Sequence, residues 1–198
     1  IRSIKQHRFL VRIHNFVAMC RRIFNSYIKK RLFQAYKRQL RSVKIITLPE
    51  AKYIGILWNP TDEESIETYE SLRKILTERD IKSFGIAYIN SKREKETLST
   101  VSNSWFMNSS NVSFFGRPKS GEGLQFVQQE FDILIDLSLD KSIALQYLLI
   151  HSVARFKVGW KGLDPNLYDL EIDVSANPKC RFLMEQIIHY LEKLNENN

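Results

Sequence analysis

The sequence predicts an α/β protein: a Rossmann-like, mostly parallel sheet with helices on both faces, preceded by a long basic helical arm. Short apolar runs of strand length alternate with segments of helical length, which is the order that a parallel sheet requires. Residues 1–44 hold 13 Lys or Arg and no Asp or Glu, whereas residues 45–198 hold 17 cations and 22 anions. We therefore expect a basic arm at residues 1–46 and a net acidic α/β domain at residues 47–198.

The arm is predicted to be helical from about residue 8 to residue 43. Apolar side chains recur at three- or four-residue steps, from Phe9 and Ile13 to Leu40 and Val43, and neither Pro nor Gly interrupts them. Cations fill much of the remaining helix surface. Such a helix can lie against an external surface without an enclosing core of its own.

The first half of the α/β domain is predicted to form two strands around one helix. The apolar run at residues 53–58 has the length of a strand that is buried on both faces. Thr61 or Asp62 is the expected N-cap of the following helix, because acidic residues fill its first turn. A second strand is predicted at residues 81–89. The Ser- and Asn-rich residues 90–111 are expected to form a surface connection with a short helix.

The second half of the domain is predicted to add four strands and two helices. The strands are expected at "VSFFG" (112–116), "FDILIDLSL" (131–139), "RFKVGW" (155–160) and, at an edge, "YDLEIDVS" (168–175). The buried helix is expected at "DKSIALQYLLIHSVA" (140–154), and an amphipathic helix closes the chain at residues 177–198. The loop "RPKSGEG" (117–123) follows the predicted third strand.

An open α/β sheet normally binds ligands at the carboxyl ends of its strands, so the candidate binding residues are those that follow the predicted strands. The first strand-to-helix turn, "WNPTDEES", has no glycine and three acids, which argues against a phosphate cradle. Arg117 and Lys119 form a candidate anion-binding loop, with a solvated connection as the competing interpretation. Asp136 is a candidate ribose or metal ligand, although an Asp at this position commonly stabilises a helix terminus instead.

No arrangement of residues predicts catalysis. His151 lies on a helix that is apolar nearly all round, and His189 and Cys180 have no activating partner nearby in sequence. We expect a protein that is not an enzyme, with no catalytic residue, metal or cofactor. Cys20 and Cys180 are isolated, which fits a reducing compartment and predicts a cytoplasmic protein, including one at the inner face of the cytoplasmic membrane. The sequence has no apolar run long enough to span a membrane.

The run "FDILIDLSLDKSIALQYLLIHSVARFKVGW" resembles an uncharacterised family of Bacteroidota proteins of unknown function. The resemblance lies in the "DILIDLS" strand, the apolar helix and the "ARFKVG" strand, and implies one Rossmann-like domain over residues 50–195. The strand–helix–strand pattern is also similar to heptosyltransferase-like glycosyltransferases, which implies a nucleotide-sugar-binding enzyme. The second Rossmann domain and the glycine-rich loops of those enzymes do not occur in this sequence, so no functional residue carries over from either family.

The arm admits three interpretations: a solvated helix packed on its own domain, an interfacial helix on an anionic membrane, or an RNA-binding extension. We favour RNA or a ribonucleoprotein such as the ribosome, because the cations point in many directions and alternate with aromatic residues. The protein would then be an adaptor whose acidic domain faces a protein partner, and no sequence-specific DNA binding is expected. The predicted nucleic-acid-binding residues are Arg12, Arg21, Arg22, Lys29, Lys30, Arg31, Lys37, Arg38, Arg41 and Lys44.

Overall fold

The structure is a computed structural model with two compact units, residues 1–38 and residues 39–198. It describes residues 26, 27, 30, 31, 33–37, 41–89, 98, 101–119, 121–140, 142–163 and 166–194. The described residues of the first unit are helical, as predicted, whereas residues 8–25 of the predicted helix lie outside the described part of the chain. The predicted end of the helix at residue 43 is wrong, because residues 41–47 are not helical.

A six-stranded sheet forms the centre of the second unit, with the strand order β3-β2-β1-β4-β5-β6. Every pairing between these strands is parallel. This confirms the predicted Rossmann-like sheet, whose order reverses between β1 and β4. The strands are β1 (Tyr53–Trp58), β2 (Lys82–Ile89), β3 (Ser104–Asn108), β4 (Ile133–Asp136), β5 (Phe156–Trp160) and β6 (Leu170–Ile172).

In the described part of the second unit, four helices cover the two faces of this sheet. They are α1 (Ser65–Glu78), α2 (Gly121–Gln128), α3 (Ile143–His151) and α4 (Cys180–Lys193), and a short 3-10 turn (Leu48–Glu50) precedes β1. Helix α1 packs against α4, and α2 packs against α3. Because both faces are covered, all four residues of β4 are buried, which explains the continuous apolar run in the sequence.

The third strand is not where the sequence predicts it. Residues 104–108, assigned to a polar connection, form β3 beside β2, whereas "VSFFG" at residues 112–116 forms no strand. Val112 makes a single antiparallel bridge to Pro118, and Gly116 adopts a φ of 77°, which turns the chain back on itself. Helix α2 then begins at Gly121, within the segment predicted to be a loop. The alternation of apolar and polar residues is weak in this region, so sequence periodicity did not separate strand from hairpin.

The predicted N-cap of α1 is also wrong. The cap is Glu64, which lies in the left-handed region at a φ of 59° and makes no side-chain capping bond. Asn59 instead organises the turn before it, because its Oδ1 accepts hydrogen bonds from the Thr61 amide and the Thr61 hydroxyl. Asp62 contacts the loop after β4 and is therefore unavailable to the helix.

Gly159 in β5 leaves room for the ring of Tyr168, so Gly159→Ala should destabilise the fold by about 1–3 kcal/mol through overpacking. A Cβ at this position would overlap the Tyr168 ring, which is itself buried and hydrogen-bonded to Asp136. Denaturant unfolding of the two proteins would measure the difference. Gly121→Ala is the matched control, since its nearest neighbour would be 4.0 Å away. Equal unfolding midpoints for the two variants would contradict the packing argument.

Candidate functional site

The described part of the basic helix places its cations beside aromatic rings. The Lys37 Nζ lies 4.6 Å from the centre of the Phe33 ring, and the Arg31 guanidinium lies 5.7 Å from that of Tyr27. The Phe33 and Tyr36 rings are stacked with their centres 6.4 Å apart. One-turn spacing produces these pairs, because residues i and i+4 are neighbours on a helix surface. The helix therefore presents mixed cationic and aromatic chemistry.

The structure places the predicted nucleic-acid-binding residues in three groups. Lys30, Arg31, Lys37 and Lys44 are exposed to solvent. Arg41 is buried in the second unit, with only 7% of its side chain exposed. The remaining predicted residues lie outside the described part of the chain: Arg12, Arg21, Arg22, Lys29 and Arg38.

Arg41 makes a two-pronged ion pair with Asp169, at 2.6 and 2.8 Å, and the Asp169 side chain is 10% exposed. The same guanidinium donates to the carbonyl oxygens of Ala154 and Arg155. A buried pair of this kind depends on further hydrogen bonds to its polar groups, and these two carbonyl oxygens supply them to Arg41. Arg41 is thus a structural anchor of the chain entering the second unit, so its guanidinium is withdrawn from the predicted cationic surface.

Lys157 lies next to this anchor in β5 and is completely buried. Its Nζ donates to the carbonyl oxygens of Leu149 and Ile150, at 2.6 and 3.2 Å, at the end of α3. The amide of Lys157 donates to Asp169. Burial, reinforced by the Arg41 charge, lowers the pKa of Lys157 to about 7. The sequence does not mark Lys157 as buried, because a Lys within "FKVGW" also fits an exposed strand position.

Side chains of the protein bond to its own backbone near the carboxyl ends of β1 and β4, where a Rossmann-like sheet normally binds its ligand. The Asp62 carboxylate accepts a 2.8 Å hydrogen bond from the Leu139 amide. Burial, partly offset by the Leu139 and Asp140 amides, raises the pKa of Asp62. The thiol of Cys180 lies 3.4 Å from the Leu137 carbonyl oxygen in the same region.

Asp136, the predicted ribose or metal ligand, is 2% exposed and bonded within the protein. One of its oxygens accepts from the amide and hydroxyl of Ser138, and the other accepts a 2.6 Å hydrogen bond from the Tyr168 hydroxyl. Burial, with the adjacent Asp136 charge, raises the pKa of Tyr168 well above its ordinary value. Asp136 therefore ties the end of β4 to the segment before β6, whereas the exposed Arg117 and Lys119 lie on a surface loop.

His151, at the end of α3, is half-buried. Its ring stacks on Tyr147 with a centroid distance of 3.9 Å, and its Nδ1 lies 2.9 Å from the Tyr147 carbonyl oxygen. Burial lowers the pKa of His151. Across the ranges that the structure describes, no three His, Cys, Asp or Glu side chains are grouped to hold a metal ion. Likewise, no helix in the described part of the chain is long and apolar enough to span a bilayer.

Arg117 and Lys119 lie on a turned segment, residues 111–119, which we call the Phe hairpin. Both are exposed, and the hairpin also exposes two aromatic rings, those of Phe114 and Phe115. The predicted anion loop is therefore one side of a hairpin that carries aromatic and cationic side chains together. In the sequence, this hairpin corresponds to the two Phe residues beside "GRPK", a stretch whose first part is predicted to be a strand.

A cleft of about 410 Å³ lies at the opposite edge of the sheet, at the amino ends of β1 and β2. Its walls include Tyr53, Asp80, Lys82 and Phe84. This position is away from the carboxyl edge, where the strand ends of α/β proteins supply ligand-binding groups. None of the residues that line this cleft is among the candidate site residues predicted from the sequence.

These features define an α/β protein with Rossmann strand order, preceded by a helix that carries cations and aromatic rings. Residues 21–194 match the family of unknown function DUF6913, and the chain belongs to this family. The predicted membership of an uncharacterised family is thereby confirmed. No curated protein and no solved structure matches the chain.

Arg41→Gln should lower the free energy of unfolding by about 3 kcal/mol, because it leaves the Asp169 carboxylate buried without its cation. Equilibrium denaturation would measure the loss. Lys44→Gln removes an exposed cation three residues away and should change stability by less than about 0.5 kcal/mol. A similar effect of both substitutions would show that the Arg41–Asp169 pair does not hold the chain.

The stability of the protein should rise with pH between about 7 and 10. The folded pKa of Lys157 is about 7, whereas an unfolded Lys titrates near about 10.4, so the unfolded chain binds the extra proton throughout this window. Tyr69, whose pKa burial raises to about 12, acts in the opposite direction and only above that window. Unfolding midpoints measured across the pH range would show the rise.

Lys157→Met should remove this rise, while Lys161→Met, at a side chain that is 61% exposed, should keep it. The comparison of slopes separates Lys157 from other titrating groups, even if Lys157→Met changes stability at every pH. An identical pH slope in the wild type and in Lys157→Met would contradict the assignment.

Proposed function

We propose that the protein is a non-catalytic cytoplasmic adaptor that binds RNA, or a ribonucleoprotein such as the ribosome, through its basic N-terminal segment. One observation carries the proposal: 13 cations and no anion lie in residues 1–44, while the rest of the chain has a net charge of −5. A segment of this kind binds a polyanion such as RNA favourably, because each phosphate contact releases condensed counterions. The second unit is net acidic, but its small negative charge does not require so many cations to balance it.

The described helix supports RNA over a lipid surface as the partner. At about 100° per residue, Tyr27 projects between Lys30 and Arg31, so aromatic and cationic side chains share the same sector of the helix. An interfacial helix instead separates a wide apolar face from a charged one. Interleaved rings and cations suit RNA, where phosphates and unpaired bases alternate along the strand.

The hydrogen bonds of Asp62 and Asp136 support an adaptor over an enzyme of the nucleotide-sugar class. These carboxylates follow β1 and end β4, and they are engaged by the Leu139 amide and the Tyr168 hydroxyl. A nucleotide would have to displace these bonds and expose buried carboxylates to its own phosphates. The acidic surface of the second unit is then free to contact a protein partner, while the basic segment holds the RNA.

The proposal is tested with the full chain, because truncation at residue 45 would remove Arg41 and confound binding with folding. Replacing Lys30, Arg31 and Lys37 together by Gln should weaken binding to a single-stranded RNA oligomer. It should also reduce the slope of log affinity against log salt by about 2, since each phosphate contact contributes about 0.7. Fluorescence anisotropy over a salt series measures both effects.

The matched control replaces three exposed cations of the second unit by Gln: Lys74, Lys161 and Arg181. The change of net charge is the same, so any difference between the two triple variants reports the location of the RNA contact. Equal losses would refute the role of the basic segment. Binding to anionic vesicles without binding to RNA would establish the membrane alternative instead.

A further inference from the structure

The Phe hairpin exposes two large apolar side chains to solvent. The side chain of Phe114 is 69% exposed and that of Phe115 is 41% exposed. Their ring centres are 5.7 Å apart, and the rings are nearly perpendicular at 79°. Since the edge of one ring meets the face of the other, each ring restricts the orientation of its neighbour.

The hairpin backbone is fixed by a dense set of hydrogen bonds. The Ser113 amide donates to the Arg117 carbonyl at 2.8 Å, and the Lys119 amide donates to the Asn111 carbonyl at 2.7 Å. The Gly116 amide donates back to Ser113. A built conformation of this kind presents its exposed rings before any ligand arrives, which reduces the ordering cost of binding.

Gly116 also allows the hairpin to pack closely against the start of α3. A Cβ at this position would lie 2.5 Å from the carbonyl oxygen of Ile143, the first residue of α3. With a φ of 77°, the position requires glycine for both its conformation and its contact. The rings are therefore displayed at a defined place on the α/β unit rather than on a loosely tethered loop.

The hairpin segment carries positive charge, although the second unit as a whole is acidic. Residues 97–121 contain no Asp or Glu, and their only cations are Arg117 and Lys119. Both cations are exposed on the hairpin, two residues apart. Solvent-exposed aromatic rings and cations on one segment match the chemistry of single-stranded nucleic acid, whose bases stack and whose phosphates carry charge.

We propose that the Phe hairpin is a second RNA contact, in which Phe114 stacks on an unpaired base while Arg117 and Lys119 bind the flanking phosphates. This inference deepens the proposed function and rests on RNA as the partner. The basic segment supplies charge without discriminating between paired and unpaired RNA. The hairpin adds a preference for unpaired bases, because only these offer a free face for stacking.

The test uses the full chain and a single-stranded RNA oligomer that contains the fluorescent base 2-aminopurine. Phe114→Ala should weaken binding by about 5- to 100-fold, the usual range for loss of one stacked base, and should reduce the fluorescence change on binding. Phe114→Tyr should restore both. Arg117→Gln with Lys119→Gln should reduce the salt slope by about 1.4, the expected loss of two phosphate contacts.

Tyr190→Ala is the matched control, because it removes a 46% exposed aromatic ring from α4 and should leave RNA binding unchanged. Affinity for a fully paired RNA duplex should also be unaffected by Phe114→Ala. If Phe114→Ala leaves single-strand affinity unchanged, or if it weakens binding to anionic vesicles instead of RNA, the hairpin contact is overturned.

The two proposals fail separately. Loss of RNA binding in the Lys30, Arg31 and Lys37 variant, with Phe114→Ala unaffected, would remove the hairpin contact and keep the basic segment. The reverse result would keep the hairpin and remove the segment. If the wild-type chain binds neither form of RNA at low salt, both proposals are wrong.

Discussion

The buried ion pair between Arg41 and Asp169 holds three separated parts of the α/β unit together. Arg41 belongs to the segment entering the unit, and its guanidinium also bonds to the turn between α3 and β5. Asp169 precedes β6 and accepts in addition from the Lys157 amide of β5. Because removal of either charge would leave the other buried, the entry of the chain and the edge strand depend on one interaction.

The same region explains how a positive charge is tolerated inside the sheet. Lys157 donates to the last carbonyl groups of α3, which carry the negative end of the helix dipole. Its side chain satisfies carbonyl groups that would otherwise lack an intrahelical partner. The low pKa shows the cost of this arrangement, since burial favours the neutral amine over the ammonium ion. Hydrogen bonds of buried polar groups therefore stabilise this edge of the sheet.

Much of the sheet could be predicted, because β1, β2, β4 and β5 are apolar runs that both helix layers bury. The strand β3 could not, since half-buried Trp105 and Phe106 lie among Ser and Asn residues that also fit a loop. The anchoring role of Arg41 had no local signal: its partner lies 128 residues later in the chain. Charge counting identified the basic segment but could not separate this buried cation from its exposed neighbours.

Strand order alone does not determine where such a protein binds its partner. The reversal between β1 and β4 is where such a sheet normally offers a crevice, yet Asp62 and Asp136 are engaged by the Leu139 amide and by Tyr168. The function therefore has to be argued from the particular side chains of this chain and not from its fold. In the proposed function, the charge of the basic segment would give affinity for any phosphate chain, while stacking on the Phe hairpin would restrict binding to unpaired bases. Two such contacts on one chain would reinforce each other through effective concentration, so neither would need high affinity alone.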